Sequence, residues 1–191
     1  MRIRKLLPTL TALFFLLSLF GAVFTSPVAA QISGNGSVDL VINGVPSNAI
    51  EIGDTFTATV QVQAGGQPVD LAEIYLGFDP SILQVNSLTP NTSQLAIPLV
   101  SATFDNNAGT LGYGGGTFSN FPTNSFNLIS IVFEAIDSGT SDISFIDPDG
   151  PTGAASTIVT FGGGNVLGDA IGESVDVNED DVVPTNQAPV A

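Results

Sequence analysis

Thr55-Phe-Thr-Ala-Thr-Val-Gln-Val-Gln63 alternates apolar and polar side chains without a break. In an extended chain its threonines and glutamines project to one side, and its apolar residues project to the other: Phe56, Ala58, Val60 and Val62. This period of two predicts a strand with one buried and one solvated face, as in an antiparallel sheet.

Similar short runs extend outward in both directions, separated by glycine, proline, asparagine and aspartate. The next run, 69–78, points Glu73 and Tyr75 away from its apolar face, and Asp79-Pro80 then stops it. Further strands are predicted at 38–42, 49–52, 85–88, 97–104, 110–113, 126–136, 141–146, 157–161 and 173–177. Because 126–136 is apolar on both sides, we expect it to be a central strand or to lie under a loop. About nine or ten strands with frequent turns predict an all-β, antiparallel two-sheet sandwich, with a closed barrel as the alternative.

The composition excludes several classes of site. The 191 residues include neither cysteine nor histidine, so disulfides, Cys or His metal sites, thiol nucleophiles and Ser-His-Asp triads are excluded. All three bases lie at Arg2, Arg4 and Lys5, whereas all 18 acids follow residue 38. Without lysine or arginine beyond residue 5, the chain is not expected to bind nucleic acid.

The first thirty residues have the pattern of a secretory signal peptide. A basic start precedes an apolar stretch over 6–24, and Pro27 and Val28-Ala29-Ala30 provide a cleavage site. An uncleaved anchor is the alternative. Cleavage would leave a folded domain over 31–177, without membrane insertion, and an acidic linker or tail over 178–191. We therefore expect a secreted, extracellular protein that is either released or attached to the cell surface.

Three motifs together resemble cohesin domains and the related carbohydrate-binding modules of the cellulose-binding type. They are Gly53-Asp-Thr-Phe-Thr57, then Glu73-Ile-Tyr-Leu-Gly-Phe-Asp-Pro-Ser-Ile-Leu-Gln-Val85, then Leu128–Ala135 followed by Gly139-Thr-Ser-Asp-Ile143. Phe78 stands where the family pattern has tyrosine. The resemblance spans about 38–178 and implies a nine-stranded jelly roll that docks a dockerin-bearing protein through one sheet face or binds polysaccharide. Asn186–Val190 resembles the entry to a further extracellular module.

Aromatic side chains are the first candidates for a binding site, because flat rings stack on sugars and anchor protein interfaces. Tyr75 is one candidate, and the run Tyr113-Gly-Gly-Gly-Thr-Phe-Ser-Asn-Phe121 adds Tyr113, Phe118 and Phe121. Its three glycines bring the backbone close to a surface, where the rings could form an apolar lip. The favoured alternative is a strand with a glycine bulge and the rings in the core.

Carboxylates are the second candidates. Asp147-Pro-Asp149-Gly places two acids two residues apart, and oxygen ligands suit Ca²⁺, although the same run is also an ordinary turn sequence. No other cofactor is expected, and no spacing selects a catalytic pair of acids. We therefore predict a non-catalytic module that binds polysaccharide or a dockerin partner. A structural spacer or adhesive domain of a bacterial or archaeal cell-surface protein is the alternative.

Overall fold

The computed structural model describes residues 38–148 and 155–179, which fold as a two-sheet β-sandwich. The predicted signal peptide and most of the predicted acidic tail lie outside these residues. The thirteen strands of the described part are β1 (Val38–Asn43), β2 (Ile50–Glu51), β3 (Thr55–Gln63), β4 (Leu71–Gly77), β5 (Leu83–Pro90), β6 (Ile97–Asp105), β7 (Thr110–Gly116), β8 (Phe126–Ala135), β9 (Gly139–Phe145), β10 (Ile158–Phe161), β11 (Gly164–Asn165), β12 (Leu167–Ile171) and β13 (Glu173–Asn178). The predicted all-β sandwich is confirmed.

The strands form two sheets. The first sheet has the order β12-β1-β3-β8-β5. In the second sheet β4 is central. One edge of β4 pairs with β7, which pairs with β6 in turn. The other edge of β4 pairs with both β10 and β9, and β9 is followed by β13 and β2. Most pairs are antiparallel as predicted, but β1–β12 and β2–β13 are parallel, which makes both sheets mixed. Among the described residues, no helix is long and apolar enough to cross a lipid bilayer.

The core lies between the sheets and is built from the alternate apolar residues of each strand. Phe133 of β8 is fully buried, with its ring stacked on Phe56 and meeting the edge of Phe78. The predicted central position of β8 is confirmed, because it pairs with β3 on one side and β5 on the other. A register shift in the β3–β8 pairing buries both Leu128 and Ile129, which explains part of the apolar run.

Strand β7 differs from the prediction in a way that shapes the surface. The expected strand at 110–113 continues through all three glycines to Gly116, and its pairing with β4 has no bulge. The register shifts lie in the pairing with the edge strand β6, on either side of Val100. The glycines therefore belong to a regular strand that is paired on both edges.

Candidate functional site

The outward face of the first sheet carries a ladder of polar side chains that bind one another across β3, β5 and β8. The Gln61 amide donates to Asn127 Oδ1 at 3.3 Å, and the Asn86 amide donates to Glu134 Oε2 at 2.9 Å. The Thr59 and Ser130 hydroxyls are 3.4 Å apart across β3 and β8. This is a solvated face of the kind that one side of an antiparallel sheet commonly shows.

The outward face of the second sheet is different, because glycines form its floor. In the β4–β7 register, Tyr75 lies opposite Gly112, Glu73 opposite Gly114, and Leu71 opposite Gly116. The intervening pair, Ile74 and Tyr113, is buried in the core, so these three pairs face outward. We call the outward side of β4, β7 and β6 around these glycines the glycine face.

Side chains from both neighbouring strands lie across the glycine floor. A Cβ atom at Gly112 would come within 2.8 Å of the Tyr75 ring. One at Gly116 would come within 2.7 Å of Leu99 Cδ1, and one at Gly114 within 3.1 Å of Val100. The irregular β6 thus directs two consecutive side chains, Leu99 and Val100, onto the same face.

Two depressions flank the centre of the glycine face. The first, of about 450 Å³, lies at Gly112 and is lined in part by Tyr75, Phe104 and Ile146. The second, of about 260 Å³, lies at Gly116 and is lined in part by the following apolar side chains: Leu71, Leu99 and Phe118. Along a strand the two glycines are about 13 Å apart, so the depressions form separate apolar sites at the two ends of one surface.

Three of the seven large apolar side chains that are exposed in the described part of the chain line these depressions. Phe118 is 86% exposed, Leu99 51% and Phe104 43%. The sequence does not reveal the place of Leu99, because its exposure on this face depends on the irregular pairing of β6 with β7. Phe104 lies in the regular part of the edge strand β6, opposite the buried Leu111. Exposed apolar groups gathered on one surface mark an interaction site more strongly than single ones do.

The predicted lip of Tyr113, Phe118 and Phe121 does not form as one surface, and the fourth candidate, Tyr75, lies on the glycine face. Tyr75 is half-buried on the glycine face, and its hydroxyl donates to Glu73 Oε1 at 2.7 Å. That bond, with burial and the negative charge of Glu73, raises the pKa of Tyr75. Phe118 is exposed at the Gly116 end, whereas Phe121 meets the edge of Phe161, with 5.2 Å between ring centroids.

Tyr113 corrects the predicted lip, because its side chain is only 1% exposed. Its register opposite Ile74 turns the ring into the core, as the alternative interpretation expected. Its hydroxyl has no hydrogen-bond partner among the described residues, and burial raises its pKa. A ring in this position cannot contact a ligand.

The predicted calcium site can be located only in part. Asp147 is exposed, has a positive φ of 45° and accepts a hydrogen bond from the Ser156 hydroxyl at 3.0 Å. Asp149 lies outside the described residues. Within the part of the chain that the structure describes, no three acidic side chains are grouped to hold a metal ion.

Comparisons with known proteins agree on one family. The cohesin domain model matches residues 39–169. CaCohA2 from Clostridium acetobutylicum is 19% identical with a TM-score of 0.57, covering 75% of this chain and 92% of that one. A cohesin module of a family 33 glycoside hydrolase from Clostridium perfringens is 15% identical with a TM-score of 0.57, covering 75% of this chain and 98% of that one.

A third similar structure is the OlpC cohesin in a type I cohesin–dockerin complex from Clostridium thermocellum. It is 11% identical with a TM-score of 0.59, and the match covers 76% of this chain and 98% of that one. At these identities the structural likeness shows the fold. A search of curated proteins finds no match to the sequence.

Proposed function

The chain belongs to the cohesin domain family, and on that premise we propose that it is a non-catalytic docking module for a dockerin-bearing protein, with the glycine face as its binding surface. The observation that carries this proposal is the contrast between the two outward faces. One carries a polar ladder whose side chains bind each other, and the other has two apolar depressions lined in part by Leu99, Phe104 and Phe118.

The glycine face suits a protein partner because it combines depth with exposed apolar anchors. Interfaces between proteins take most of their binding energy from a few apolar or aromatic side chains that enter well-packed pockets. The glycines supply that depth, since any larger residue on β7 would fill the space that Tyr75 and Leu99 now occupy. The partner side chains would enter the two depressions.

Polysaccharide binding is the weaker part of the functional prediction. A flat array of exposed rings would stack on a sugar chain. Here Tyr75 is half-buried and held by Glu73, and Phe118 and Phe104 belong to depressions at opposite ends of β7. The separation of these rings favours a protein ligand. Export remains part of the proposal and is supported by the pattern of residues 1–30.

A matched pair of substitutions tests the docking surface. Leu99 on the glycine face and Ile171 on β12 of the first sheet are equally exposed, at 51% and 50%. We expect Leu99→Ala to weaken calorimetrically measured binding of calcium-loaded dockerin modules about tenfold, as an interface anchor would. Ile171→Ala should leave the affinity within about twofold, because its surface area lies outside the proposed interface.

Three results would contradict this assignment. Equal losses for the two variants would show that the glycine face is not the docking surface. Retention of the wild-type protein on insoluble polysaccharide, without binding to any dockerin module, would favour a carbohydrate-binding module. If the wild-type protein binds neither insoluble polysaccharide nor any dockerin module, the structural spacer is favoured.

A further inference from the structure

A glycosylation motif lies in the turn between β5 and β6. Asn91-Thr-Ser93 has the form Asn-X-Ser/Thr without proline in the middle, which is the acceptor sequence for N-linked glycans in exported proteins. Asn91 is the one asparagine of residues 38–148 and 155–179 that begins such a motif. A second motif, Asn35-Gly-Ser37, lies outside the described residues. The fold therefore bears on Asn91 alone.

The backbone is fixed on both sides of this turn. The Asn91 N–H donates to the Leu128 carbonyl at 2.9 Å, directly after the last β5–β8 pair. Further along the chain Leu95 is fully buried, with its Cβ 3.2 Å from the position that a Cβ of Gly115 would take. Between these two anchors residues 92–94 are exposed. The motif thus occupies a short, well-anchored turn at the surface.

The Asn91 side chain presents its amide nitrogen to solvent. Oδ1 accepts the Ser93 N–H at 3.0 Å, so the carbonyl end of the side chain is turned toward the backbone. Nδ2 has no acceptor among the described residues. In that part of the chain the Tyr113 hydroxyl is the one buried side-chain polar atom without a partner, so the unpartnered Nδ2 is open to solvent. The atom that accepts a glycan is accessible in the folded chain.

The turn follows an edge strand that is closed over only part of its length. β5 is the last strand of the first sheet, so one of its sides has no neighbouring strand. At Val85 the Asn106 side chain closes that side: Oδ1 accepts the Val85 N–H at 2.8 Å, and Nδ2 donates to the Val85 carbonyl at 3.0 Å. Within the described ranges no such bond is found at 87–90. An open edge of this kind can pair with a second chain, and proteins commonly block it.

We propose that Asn91 carries an N-linked glycan, which covers the open edge of β5 at 87–90. The donor is an oligosaccharide joined through its C1 to a polyprenyl phosphate or diphosphate, and a cellular transferase brings it to the chain. Asn91 Nδ2 bonds to C1 and loses one proton, while the C1–O bond breaks and the polyprenyl phosphate or diphosphate leaves with the electron pair. Because a glycan is bulky and solvated, it holds other chains away from this edge.

The inference rests on export, which is part of the proposed function, and is independent of docking. Asn91 is bonded to β8 of the first sheet, whereas the glycine face is the outward side of the second sheet. The attachment point and the docking surface therefore belong to different layers of the sandwich.

Mass spectrometry of the chain from the cells that naturally make it tests the proposal. No lysine or arginine follows Lys5, so the chain is cut before its aspartates, which gives one fragment over 79–104. This fragment contains Asn91 and no second Asn-X-Ser/Thr motif. We expect most copies of the fragment to carry the added mass of several sugar residues, and further fragmentation to place that mass on Asn91.

Three substitutions, expressed in the same cells, separate Asn91 from the other residues of the fragment. Asn91→Gln removes the acceptor, and Ser93→Ala removes the hydroxyl of the motif but keeps the backbone N–H that Asn91 Oδ1 accepts. We expect both variants to lose the added mass completely. Asn86→Gln changes an asparagine of β5 that begins no motif, and it should keep the mass. Sugar that persists in Asn91→Gln would lie on another residue and would contradict the proposal.

Sedimentation velocity at high salt tests whether the glycan covers the edge. Residues 31–191 contain all 18 acids and no lysine or arginine, so salt is needed to screen the repulsion between chains. We expect the wild type and Asn86→Gln to stay monomeric and Ser93→Ala to self-associate. A monomeric Ser93→Ala chain at the same concentration would show that the glycan does not protect this edge.

Two outcomes separate a failure of this inference from a failure of export. If the chain is recovered outside the cells with the fragment over 79–104 unmodified, export stands and the glycan is wrong. If the chain is recovered only inside the cells and is unmodified there, both export and the glycan are wrong.

Discussion

Replacing Phe133 with alanine is expected to lower the free energy of unfolding by about 3–5 kcal/mol. The ring is fully buried in the central strand β8, with its centroid 5.4 Å from that of Phe56 and 5.5 Å from that of Phe78. Its removal leaves a cavity and takes a contact from both neighbouring rings. Urea unfolding followed by far-ultraviolet circular dichroism measures the loss, which is a large part of an ordinary domain's stability.

Phe118→Ala is the control for this loss, since the same side chain is removed where it is 86% exposed. Its free energy of unfolding should change by less than about 0.5 kcal/mol. Comparable destabilisation by the two substitutions would contradict the placement of Phe133 in the core and of Phe118 on the surface.

Replacing Gly112 with alanine is expected to weaken dockerin binding about a hundredfold, or about 2.7 kcal/mol. The new Cβ would lie 2.8 Å from the Tyr75 ring, which must move out of its place on the glycine floor. That movement has two effects: it changes the wall of the larger depression, and it breaks the Tyr75–Glu73 hydrogen bond. Calorimetric titration of calcium-loaded dockerin modules measures the loss of affinity.

Gly77→Ala provides the matched control for the glycine substitution. It adds the same methyl group beside the same depression, on the neighbouring strand β4, where the nearest atom, in Ile146, is 3.7 Å away at ordinary contact distance and Tyr75 keeps its place. Affinity should stay within about threefold of the wild type, because no side chain of the glycine face has to move. Wild-type affinity in Gly112→Ala, with the protein folded, would show that the partner does not use this part of the surface.

Local sequence pattern was sufficient where a strand has one buried and one exposed side. The alternation of Thr55–Gln63 predicted both the limits of β3 and its buried residues, and Ile74 and Leu76 are buried in β4 as expected. In these strands the core requires apolar side chains at alternate positions, so the alternation in the sequence predicts the strand and its buried face.

The sequence pattern did not predict a strand that is held by backbone pairing rather than by the burial of its side chains. Strand β12 was not predicted, because Leu167 is its only buried side chain and Gly168-Asp169 has the composition of a turn. Its backbone is held beside β1, where Asp39 Oδ1 accepts the Asp169 N–H at 3.0 Å. Such a strand depends on a distant neighbour that the local sequence does not reveal.

The binding surface was predicted only in outline for the same reason. The three glycines indicated close approach to a surface, but glycine disfavours strands, and the strand was expected to end at 113. The β4–β7 register determines that Tyr113 faces the core and that Glu73 and Tyr75 face the glycine floor. This register is a long-range property, and so is the irregular pairing that turns Leu99 outward.

The most direct test of the glycine face is an amide chemical-shift titration of the isotope-labelled protein with a calcium-loaded dockerin module. We expect the largest changes along β4, β7 and β6, around Tyr75, Gly114 and Leu99, because these residues would contact the partner. Amides of the polar ladder, such as Thr59 and Ser130, should stay at their free positions. Changes concentrated on β3 and β8, with β7 unaffected, would contradict the assignment.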